Sequence, residues 1–203
     1  MTVGVVDYEA GNLKSVETAL LALGARITIS ASPEELLKTD RLIFPGVGDA
    51  AAATAVLRAR GLDEGIRDFV ATGRPLLGIC LGSQIVLDSS EENQATCLGL
   101  IAGAARRFPA DLGVKIPHMG WNQVTPTVNH PVFAGIPAGA SFYFVHSYYP
   151  SPDDPASVLA ETDYGIRFAS AIGRDNLTAV QFHPEKSGPH GLRMLQNFLD
   201  FRG

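Results

Sequence analysis

The sequence predicts a single α/β domain over residues 1–203, with a central, mostly parallel sheet flanked by helices and additional antiparallel strands in the second half. In the first half, short apolar segments alternate with helix-like segments, and this βα repeat is typical of a parallel sheet. From Gly99 onward, strand-like segments follow one another across short turns rich in Gly, Pro, Asn and Asp, which favours antiparallel or mixed pairing. No stretch rich in Pro, Gly or Ser divides the chain into two domains.

The elements of the first half follow from periodicity and from residues typical of helix ends. The helix "NLKSVETALLALG" has Asn12 as a candidate N-cap and Gly24 just past its end. The helix "SPEELLKTD" has Ser32 as cap and Pro33 at its first position. Further helices are predicted over about residues 50–60 and 62–72 and in "GSQIVLDSS", and strands in "TVGVVD", "ARITI", "RLIFPGVG" and "PLLGI".

The second half is predicted to be mainly strands and to end in one helix. The strand candidates are "GLIAGAARRF", "KIPHMGWNQV", "SFYFVHSYY", "GIRFASAIG" and "LTAVQFHPE". Residues 187–201 form an amphipathic pattern, which predicts the final helix; its apolar face carries Leu192, Leu195, Phe198 and Leu199.

The composition is that of an ordinary globular chain, with 46% hydrophobic residues, 18% charged residues and a formal net charge of −5. The 16 Lys and Arg residues are scattered, so nucleic acid is not an expected partner. No apolar segment approaches the roughly 18 residues that span a bilayer, so no membrane association is expected. The first residues lack the basic region of a signal peptide, and a cytoplasmic location is therefore expected.

Cysteine usage argues against a disulfide framework or a metal centre. The only cysteines are Cys80 and Cys97, and they lack the paired spacing of a zinc site. We therefore expect no metal and no cofactor, and a lone reactive thiol remains a possibility.

Cys80 lies between two glycines, where a predicted strand ends and a helix-like segment begins. The form G-x-nucleophile-x-G is typical of a sharp strand-to-helix turn, in which Gly78 and Gly82 relieve crowding between strand and helix. The helix N-terminus favours a thiolate there, and its free N–H groups can stabilise an oxyanion. A cysteine at random is more often a small buried hydrophobe, but the flanking glycines favour a nucleophile.

A thiolate nucleophile needs a base that later acts as an acid, and the chain has five histidines. His183 in "AVQFHPEKS" is best placed, because it ends a β-rich segment and Glu185 can orient its imidazole as the third member of a triad. A histidine at a strand end is, by itself, more often structural. The other candidates are His118, His130, His146 and His190.

The motif "PGVG", residues 45–48, follows the third predicted strand and can turn backbone N–H groups toward the cysteine. By itself it is more typical of a plain turn. It is not a phosphate-binding P-loop, because no Gly-Lys-Ser/Thr follows.

Together these motifs resemble the class I, triad-type glutamine amidotransferases. More narrowly, "VVDYEAGNLKSV", "FPGVGDA", "GICLGSQ", "IPHMGWN", "YFVHSYY" and "QFHPEKSGPHGLRMLQNF" resemble the glutaminase subunits of imidazole glycerol phosphate synthase. The matches run from about residue 5 to residue 198. "GICLG" and "HPE" are typical of the whole superfamily, whereas "PHMGWN" and "FVHSYY" are more specific to these subunits.

The resemblance implies hydrolysis of glutamine to glutamate and ammonia. Cys80 would attack the carboxamide, His183 would protonate the leaving ammonia, and Glu185 would hold His183. Backbone N–H groups of Val47 and Leu81 would form the oxyanion hole. The residues implied to hold glutamine are Gly48, Gln84, Glu92, Ser147 and Tyr148; an acidic group suits the substrate's ammonium, and amide, hydroxyl and backbone donors suit its carboxylate.

The resemblance also implies a heterodimer with a (β/α)₈-barrel cyclase subunit, which uses the ammonia to make imidazole glycerol phosphate and AICAR in histidine biosynthesis. Water would protonate ammonia, so a sealed interface is chemically sensible. The residues implied at that interface are Asn12, Met119, Trp121 and Lys186. Taken outside the family, Trp121 is more typical of a core tryptophan.

Three departures from the family pattern surround the predicted site. Glu9 stands where glycine is usual, which raises a question about the backbone of that loop. Ser83 replaces a common methionine after Cys-Leu-Gly, and Asp49-Ala50 replaces the usual Ala-Phe after "PGVG". None of them falls on the triad.

Two other functions are compatible with parts of the pattern. A glutaminase of the same class could serve another pathway, such as anthranilate or pyridoxal phosphate synthesis, although "PHMGWN" and "YFVHSYY" argue against it. A catalytically silent binding module could keep the scaffold to position a partner. The intact set of Cys80, His183 and Glu185 argues against this second alternative.

Overall fold

The computed structural model describes residues 1–9 and 11–201; Ala10, Arg202 and Gly203, which belong to the predicted domain, lie outside the described residues. A nine-stranded mixed sheet has the order β2-β1-β3-β4-β13-β12-β11-β8-β9, and a second, four-stranded sheet has the order β10-β7-β5-β6. The strands are β1 Thr2–Val6, β2 Arg26–Ser30, β3 Arg41–Phe44, β4 Leu76–Ile79, β5 Ser89–Ser90, β6 Ala95–Thr96, β7 Gly103–Arg107, β8 His118–Pro126, β9 Ala140–His146, β10 Tyr148–Pro152, β11 Val158–Tyr164, β12 Ile166–Arg174 and β13 Leu177–Val180.

The large sheet is parallel in one half and antiparallel in the other. Strands β2, β1, β3, β4 and β13 pair in parallel. Strands β12, β11, β8 and β9 continue the sheet by antiparallel pairing. Because the carboxyl ends of β3, β4 and β13 meet at one edge, the segments that follow these strands converge there.

The helices are α1 Leu13–Ala22, α2 Pro33–Leu36, α3 Ala50–Ala59, α4 Leu62–Ala71, α5 Leu81–Ile85 and α6 Gly188–Asp200. The predicted cap at Ser32 is confirmed, because its side chain accepts a hydrogen bond from the N–H of Glu35. The predicted capping by Asn12 is wrong: Asn12 precedes α1 with a φ of 82°, but its side chain makes no capping hydrogen bond. That side chain contacts the catalytic candidates instead.

Apolar side chains pack on both faces of the large sheet. One cluster includes Val3, Val5 and Ile43 with Phe198 of α6, and the other includes Leu42 and Phe44 with residues of α3 and α4. Neighbours along β3 alternate between the two clusters, as the pleat of a strand requires. The two-sided core holds β3 and β4 rigidly beneath the edge at which the site forms.

Two predicted elements differ from the observed ones, and one observed strand was not predicted. The helix predicted in "GSQIVLDSS" ends at Ile85, because Ser89–Ser90 pair with β6 and β7 as a strand. The predicted strand "SFYFVHSYY" is two strands, β9 and β10, which belong to different sheets. Strand β11, Val158–Tyr164, is not among the predicted strands.

Within residues 1–9 and 11–201, no helix combines the length and apolar character needed to cross a bilayer. The same residues contain no group of three or more His, Cys, Asp and Glu side chains arranged to hold a metal ion.

Candidate active site

Cys80 occupies the sharp turn between β4 and α5. Its φ of 54° and ψ of −108° are strained for a residue with a side chain. Its N–H donates to the carbonyl of Val180 at 2.8 Å, which anchors the turn to the end of β13. Its side chain is 6% exposed, at the N-terminal end of α5. This is the strained geometry predicted for a nucleophile between two glycines.

Both flanking glycines are required by space. A Cβ on Gly78 would lie 3.0 Å from the Cβ of Ala179 and 3.1 Å from the backbone of Gly82. A Cβ on Gly82 would lie 2.1 Å from the carbonyl oxygen of Phe44, well inside contact distance. The predicted crowding between strand and helix is therefore confirmed.

His183 and Glu185 lie just past the end of β13, beside the turn that carries Cys80. The Nδ1 atom of His183 is 2.7 Å from Oε1 of Glu185, and both side chains are fully buried. The side chain of Asn12 donates from Nδ2 to the same carboxylate oxygen at 2.5 Å. Among the described residues, Nε2 of His183 has no hydrogen-bond partner, so that nitrogen remains available to the thiol.

The neighbours of His183 favour the charged form of its imidazole. Burial opposes the charged form, but the interactions of the imidazole with the neighbouring Cys80 and Glu185 outweigh burial and raise the pKa of His183 from 6.5 to about 9. A cationic imidazole next to the sulfur stabilises negative charge there. It also already carries the proton that a leaving amine requires.

Glu185→Gln is expected to weaken the protein below about pH 6.5 and to affect it less above about pH 9. A raised histidine pKa adds stability that is complete below the unfolded value of 6.5 and is lost as the pH rises through about 9. The neutral amide removes one cause of that shift. Urea denaturation of both proteins across this range measures the difference.

A suitable control is Glu17→Gln, which removes a carboxylate of α1 that pairs with Lys14 at 2.8 Å and is not part of the triad. It should show no such pH window. A stability difference between wild type and Glu185→Gln that grows as the pH rises toward 9 would contradict the assigned role of the ion pair.

Glutamine turnover should also fall by about 10²-fold or more in Glu185→Gln, because the imidazole loses its orienting partner.

The predicted substrate residues line one cavity of about 300 Å³ with the nucleophile at its wall. The cavity is also bounded by Pro117, Val145 and His146. The predicted residues that it brings together are Val47, Gly48, Cys80, Leu81, Gln84, Glu92, Ser147 and Tyr148. His183 and Glu185 are buried and are not among the residues that line this cavity.

One predicted oxyanion donor is already occupied. The N–H of Leu81 donates to the carbonyl of Gly46 at 3.3 Å, so it does not point freely into the cavity. Val47 follows in the same loop and is 36% exposed. The oxyanion hole predicted from Val47 and Leu81 is thus incomplete in this conformation, because the "PGVG" loop supplies a carbonyl where a donor is needed.

Gln181 is a site residue that the sequence reasoning missed. Its Nε2 lies 3.8 Å from Sγ of Cys80, and its Oε1 accepts from Nε2 of Gln84 at 2.9 Å. It stands two residues before His183 in the predicted strand "LTAVQFHPE", in which a period of two would place both on one face, although β13 itself ends at Val180. That spacing in "QFH" was the available signal.

Glu92 is tied to the loop that follows "PGVG". Its Oε2 accepts from the N–H of Ala50 at 2.8 Å, at the start of α3. Burial raises the pKa of Glu92, the hydrogen bond from Ala50 lowers it, and the charge of Asp49 raises it. The carboxylate therefore lies within the cavity and is held by backbone, as a recognition group for an ammonium would be.

The residues predicted for the partner interface lie on β8 and next to Glu185. Met119 and Trp121 are 60% and 59% exposed, which rules out the alternative of a core tryptophan. Trp121 is paired with Tyr143 across β8 and β9, and the carbonyl of Tyr143 accepts from the N–H of His183 at 2.9 Å. Lys186 is exposed at the end of a short 3₁₀ turn, and Asn12 reaches Glu185 directly.

The departures from the family pattern make local contacts. Glu9 has a positive φ of 67° and forms an ion pair with Arg60 at the end of α3. Asp49 caps α3 by accepting from the N–H of Ala52 at 2.8 Å. Ser83, at the position where methionine is common, is fully buried. Its hydroxyl donates to the carbonyl of Cys80 at 2.7 Å, so this polar group has a hydrogen-bond partner within the turn.

A strained cysteine at a helix N-terminus beside a buried histidine–carboxylate pair is the arrangement typical of triad hydrolases with a cysteine nucleophile. The family model of the class I glutamine amidotransferases matches residues 4–201 of the chain. Imidazole glycerol phosphate synthase subunit HisH of Dehalococcoides mccartyi (strain CBDB1) is 53% identical over 198 residues, which cover 97% of this chain and 96% of that protein. The subunit HisH of Chloroflexus aurantiacus (strain ATCC 29364 / DSM 637 / Y-400-fl) is 49% identical over 201 residues, with coverage of 97% and 94%.

Solved structures agree on the fold. PurLQS from Thermotoga maritima matches with a TM-score of 0.78 at 19% identity, covering 98% of this chain and 97% of that one. A crystal structure of a glutamine amidotransferase matches with a TM-score of 0.73 at 23% identity, covering 98% and 97%. The chain therefore belongs to the class I glutamine amidotransferase family, and within it to the imidazole glycerol phosphate synthase subunits HisH. The predicted enzyme class, a glutamine amidotransferase, is confirmed with it.

Proposed function

We propose that this chain hydrolyses glutamine to glutamate and ammonia with Cys80, His183 and Glu185, and supplies the ammonia to a (β/α)₈-barrel cyclase subunit. The heterodimer would be an imidazole glycerol phosphate synthase, which makes imidazole glycerol phosphate and AICAR in histidine biosynthesis. The observation that carries the proposal is the strained Cys80 beside a His183–Glu185 pair joined at 2.7 Å. A silent binding module would not need this strained nucleophile.

The reaction begins with attack of the Cys80 sulfur on the glutamine carboxamide. The carbonyl oxygen becomes an oxyanion, and the proton of the thiol resides on Nε2 of His183. Collapse of the tetrahedral intermediate breaks the C–N bond, and His183 transfers that proton to the departing ammonia. The product of this half is a glutamyl thioester on Cys80.

Hydrolysis of the thioester uses the same residues in reverse. The imidazole, now neutral, takes a proton from water as the hydroxide attacks the thioester carbonyl. Expulsion of the sulfur releases glutamate and returns the proton to the thiol and imidazole pair. Glu185 holds Nδ1 of His183 throughout, so Nε2 faces the sulfur in both halves.

Recognition of glutamine follows from the groups in the cavity. Glu92 suits the α-ammonium group, while Gln84 and the backbone donors of Gly48, Ser147 and Tyr148 suit the carboxylate and carboxamide. Because Glu92 is partly buried, water screens its attraction to the ammonium group less than it would at a surface carboxylate.

The hydrogen bond from the N–H of Leu81 to the carbonyl of Gly46 provides a reason why the glutaminase would need a partner to become active. An oxyanion cannot use that donor until the "PGVG" loop moves and the carbonyl leaves. One oxyanion donor is worth about 10²- to 10³-fold in turnover. Docking of the cyclase against the exposed Met119 and Trp121 would be coupled to that movement and would close the path of the ammonia from water.

We also place the enzyme in the cytoplasm. Cys80 and Cys97 are free thiols in the described part of the chain, which fits a reducing compartment.

Glutamate release tests this function. The chain is measured alone, with the cognate cyclase, and with the cyclase and its phosphorylated ribulosyl aminoimidazole nucleotide. We expect slow release alone and a stimulation of about 10²-fold or more in the full complex, because an oxyanion donor is freed. Equal, negligible release in all three conditions would overturn the proposal.

A matched pair of variants tests the docking face. Trp121→Ala removes a side chain that is 59% exposed, and Val128→Ala removes one that is 44% exposed. Stimulation should need a higher cyclase concentration in the first variant and the wild-type concentration in the second. The same concentration dependence in both would remove Trp121 from the interface.

A further inference from the structure

A chain of hydrogen-bonded side chains leads from the half-buried Asn122 of β8 through the buried His118 and His146 into the glutamine cavity. Nδ2 of Asn122 lies 3.2 Å from Nε2 of His118. Nδ1 of His118 lies 2.9 Å from Nε2 of His146, and Nδ1 of His146 lies 2.7 Å from the carbonyl oxygen of Tyr148. We call Asn122, His118 and His146 the histidine relay.

The orientation of the Asn122 amide is determined by its backbone contacts. Its Oδ1 accepts from the N–H of Gln123 at 2.8 Å, and its Nδ2 donates to the carbonyl of Asp163 at 2.9 Å. Nδ2 must therefore donate its second hydrogen to Nε2 of His118. An acceptor at Nε2 leaves the proton of His118 on Nδ1.

The direction continues through the second histidine. His118 donates from Nδ1, so Nε2 of His146 accepts and the proton of His146 lies on Nδ1. That proton is donated to the carbonyl of Tyr148, which can only accept. Every donor in the relay points from β8 toward the cavity.

The surroundings keep both imidazoles neutral. The ring of His118 stacks between Tyr164, with centroids 3.9 Å apart, and Phe144, with centroids 4.7 Å apart. Burial lowers the pKa of His118 to about 4, and burial is the main cause that lowers the pKa of His146 to about 3. A neutral imidazole has one donor and one acceptor. If the direction of one hydrogen bond in the relay is reversed, the directions of the others must therefore be reversed as well.

The relay ends on residues of the site. The carbonyl of Tyr148 also accepts from Nε2 of Gln84 at 3.1 Å. Gln84 donates to Gln181 at 2.9 Å, and Gln181 lies 3.8 Å from the sulfur of Cys80. The position of one wall of the cavity is thus set by bonds that begin on β8.

We propose that Asn122, His118 and His146 are positioning residues for the glutaminase reaction, which hold the Tyr148 and Gln84 wall of the cavity against β8. The outward face of β8 carries Met119 and Trp121, so the relay joins the docking face to the substrate site. This inference rests on the proposed function. It adds a role for residues that touch neither the reacting carbon nor the sulfur.

Nitrogen-15 NMR of the histidine rings tests the direction of the relay in the isolated wild-type chain. We expect His118 and His146 to carry their protons on Nδ1 and to remain neutral across the physiological range. A proton on Nε2 of either ring would overturn the deduced direction. This result does not depend on catalysis or on any variant.

Asn122→Asp tests the consequence for substrate. A carboxylate can only accept, so the proton of His118 should move to Nε2 and the relay should reverse. With saturating cyclase, we expect the KM for glutamine to rise about tenfold, as for loss of a buried hydrogen bond, with a smaller change in kcat. Asn129→Asp is the control, because it makes the same substitution at an exposed position beyond the end of β8 and should leave both tautomers and KM unchanged.

A second pair of variants guards against misfolding of Asn122→Asp. His118→Gln provides one acceptor and one donor, so its KM should stay close to that of the wild type. His118→Leu provides neither and should have a raised KM. An unchanged KM in His118→Leu would overturn the positioning role. If the wild-type complex releases no glutamate, the proposed function fails, and the NMR result still decides the direction of the relay.

Discussion

Replacing Cys80 with alanine is expected to reduce glutamate release by at least about 10⁴-fold, because no other group in the cavity can form the thioester. Cys80 is the cysteine at the cavity wall, beside a charged His183. The fold should survive, since alanine keeps the Cβ at this strained position. Turnover with saturating cyclase and thermal unfolding of the variant together measure the effect.

Cys97→Ala is the matched control for this substitution. Cys97 is also buried, but its sulfur lies 3.7 Å from the carbonyl of Ala95, and burial raises the pKa of its thiol to about 11. A buried neutral thiol of this kind is inert. Turnover of Cys97→Ala should equal that of the wild type, and an equal loss in both variants would remove Cys80 from its assigned role.

Gly82→Ala is expected to destabilise the protein by about 3 kcal/mol, the cost of inserting a methyl group into a packed core. The new Cβ would lie 2.1 Å from the carbonyl oxygen of Phe44, which belongs to β3 and cannot move aside cheaply. Relief would require α5 to shift and to carry Cys80 with it. Chemical denaturation gives the loss of stability, and turnover in the complex should fall as well.

Ser83→Ala, at the next residue of α5, is the control for Gly82→Ala. It removes a hydroxyl that donates to the carbonyl of Cys80 at 2.7 Å and leaves the helix path unchanged. We expect a loss of about 1 kcal/mol or less. If Gly82→Ala were no more harmful than Ser83→Ala, the close approach of α5 to β3 would not be what requires the glycine.

The strained turn that carries Cys80 was predictable because its constraint is local. Gly78 and Gly82 are needed by the backbone of one turn, and a pattern within five residues reports it. The same holds for Ser32 at the start of α2 and for the parallel strands of the first half, whose buried segments alternate with helices. His183 and Glu185 were predictable because a short histidine–carboxylate motif follows a strand.

Features that depend on tertiary pairing were not predictable in this way. Strand β11 is recognised only by its neighbours β8 and β12, and the run "SFYFVHSYY" divides between two sheets because β10 pairs with β7. The side chain of Asn12 leaves its cap position for Glu185, which is 173 residues away. The bond between Leu81 and Gly46 and the histidine relay likewise join segments that are distant in the chain.

The relatives that are about 50% identical over nearly the whole chain also bear on the two alternative functions, a glutaminase of another pathway and a silent binding module. They share the name of one subunit, which favours the synthase over another pathway that uses the same triad. The charged His183 beside the sulfur argues against a silent module, because a scaffold without catalysis gains nothing from a buried ion pair at this turn.

Alkylation of the complex with iodoacetamide tests directly whether Cys80 is the thiol that attacks glutamine. Peptide mass analysis after graded reaction times is compared with the remaining glutaminase activity. We expect activity to fall in proportion to the label on Cys80, glutamine to slow the labelling, and Cys97 to stay unlabelled because it does not line the cavity and burial raises the pKa of its thiol to about 11. Full glutaminase activity in a complex whose Cys80 is completely alkylated would contradict the mechanism.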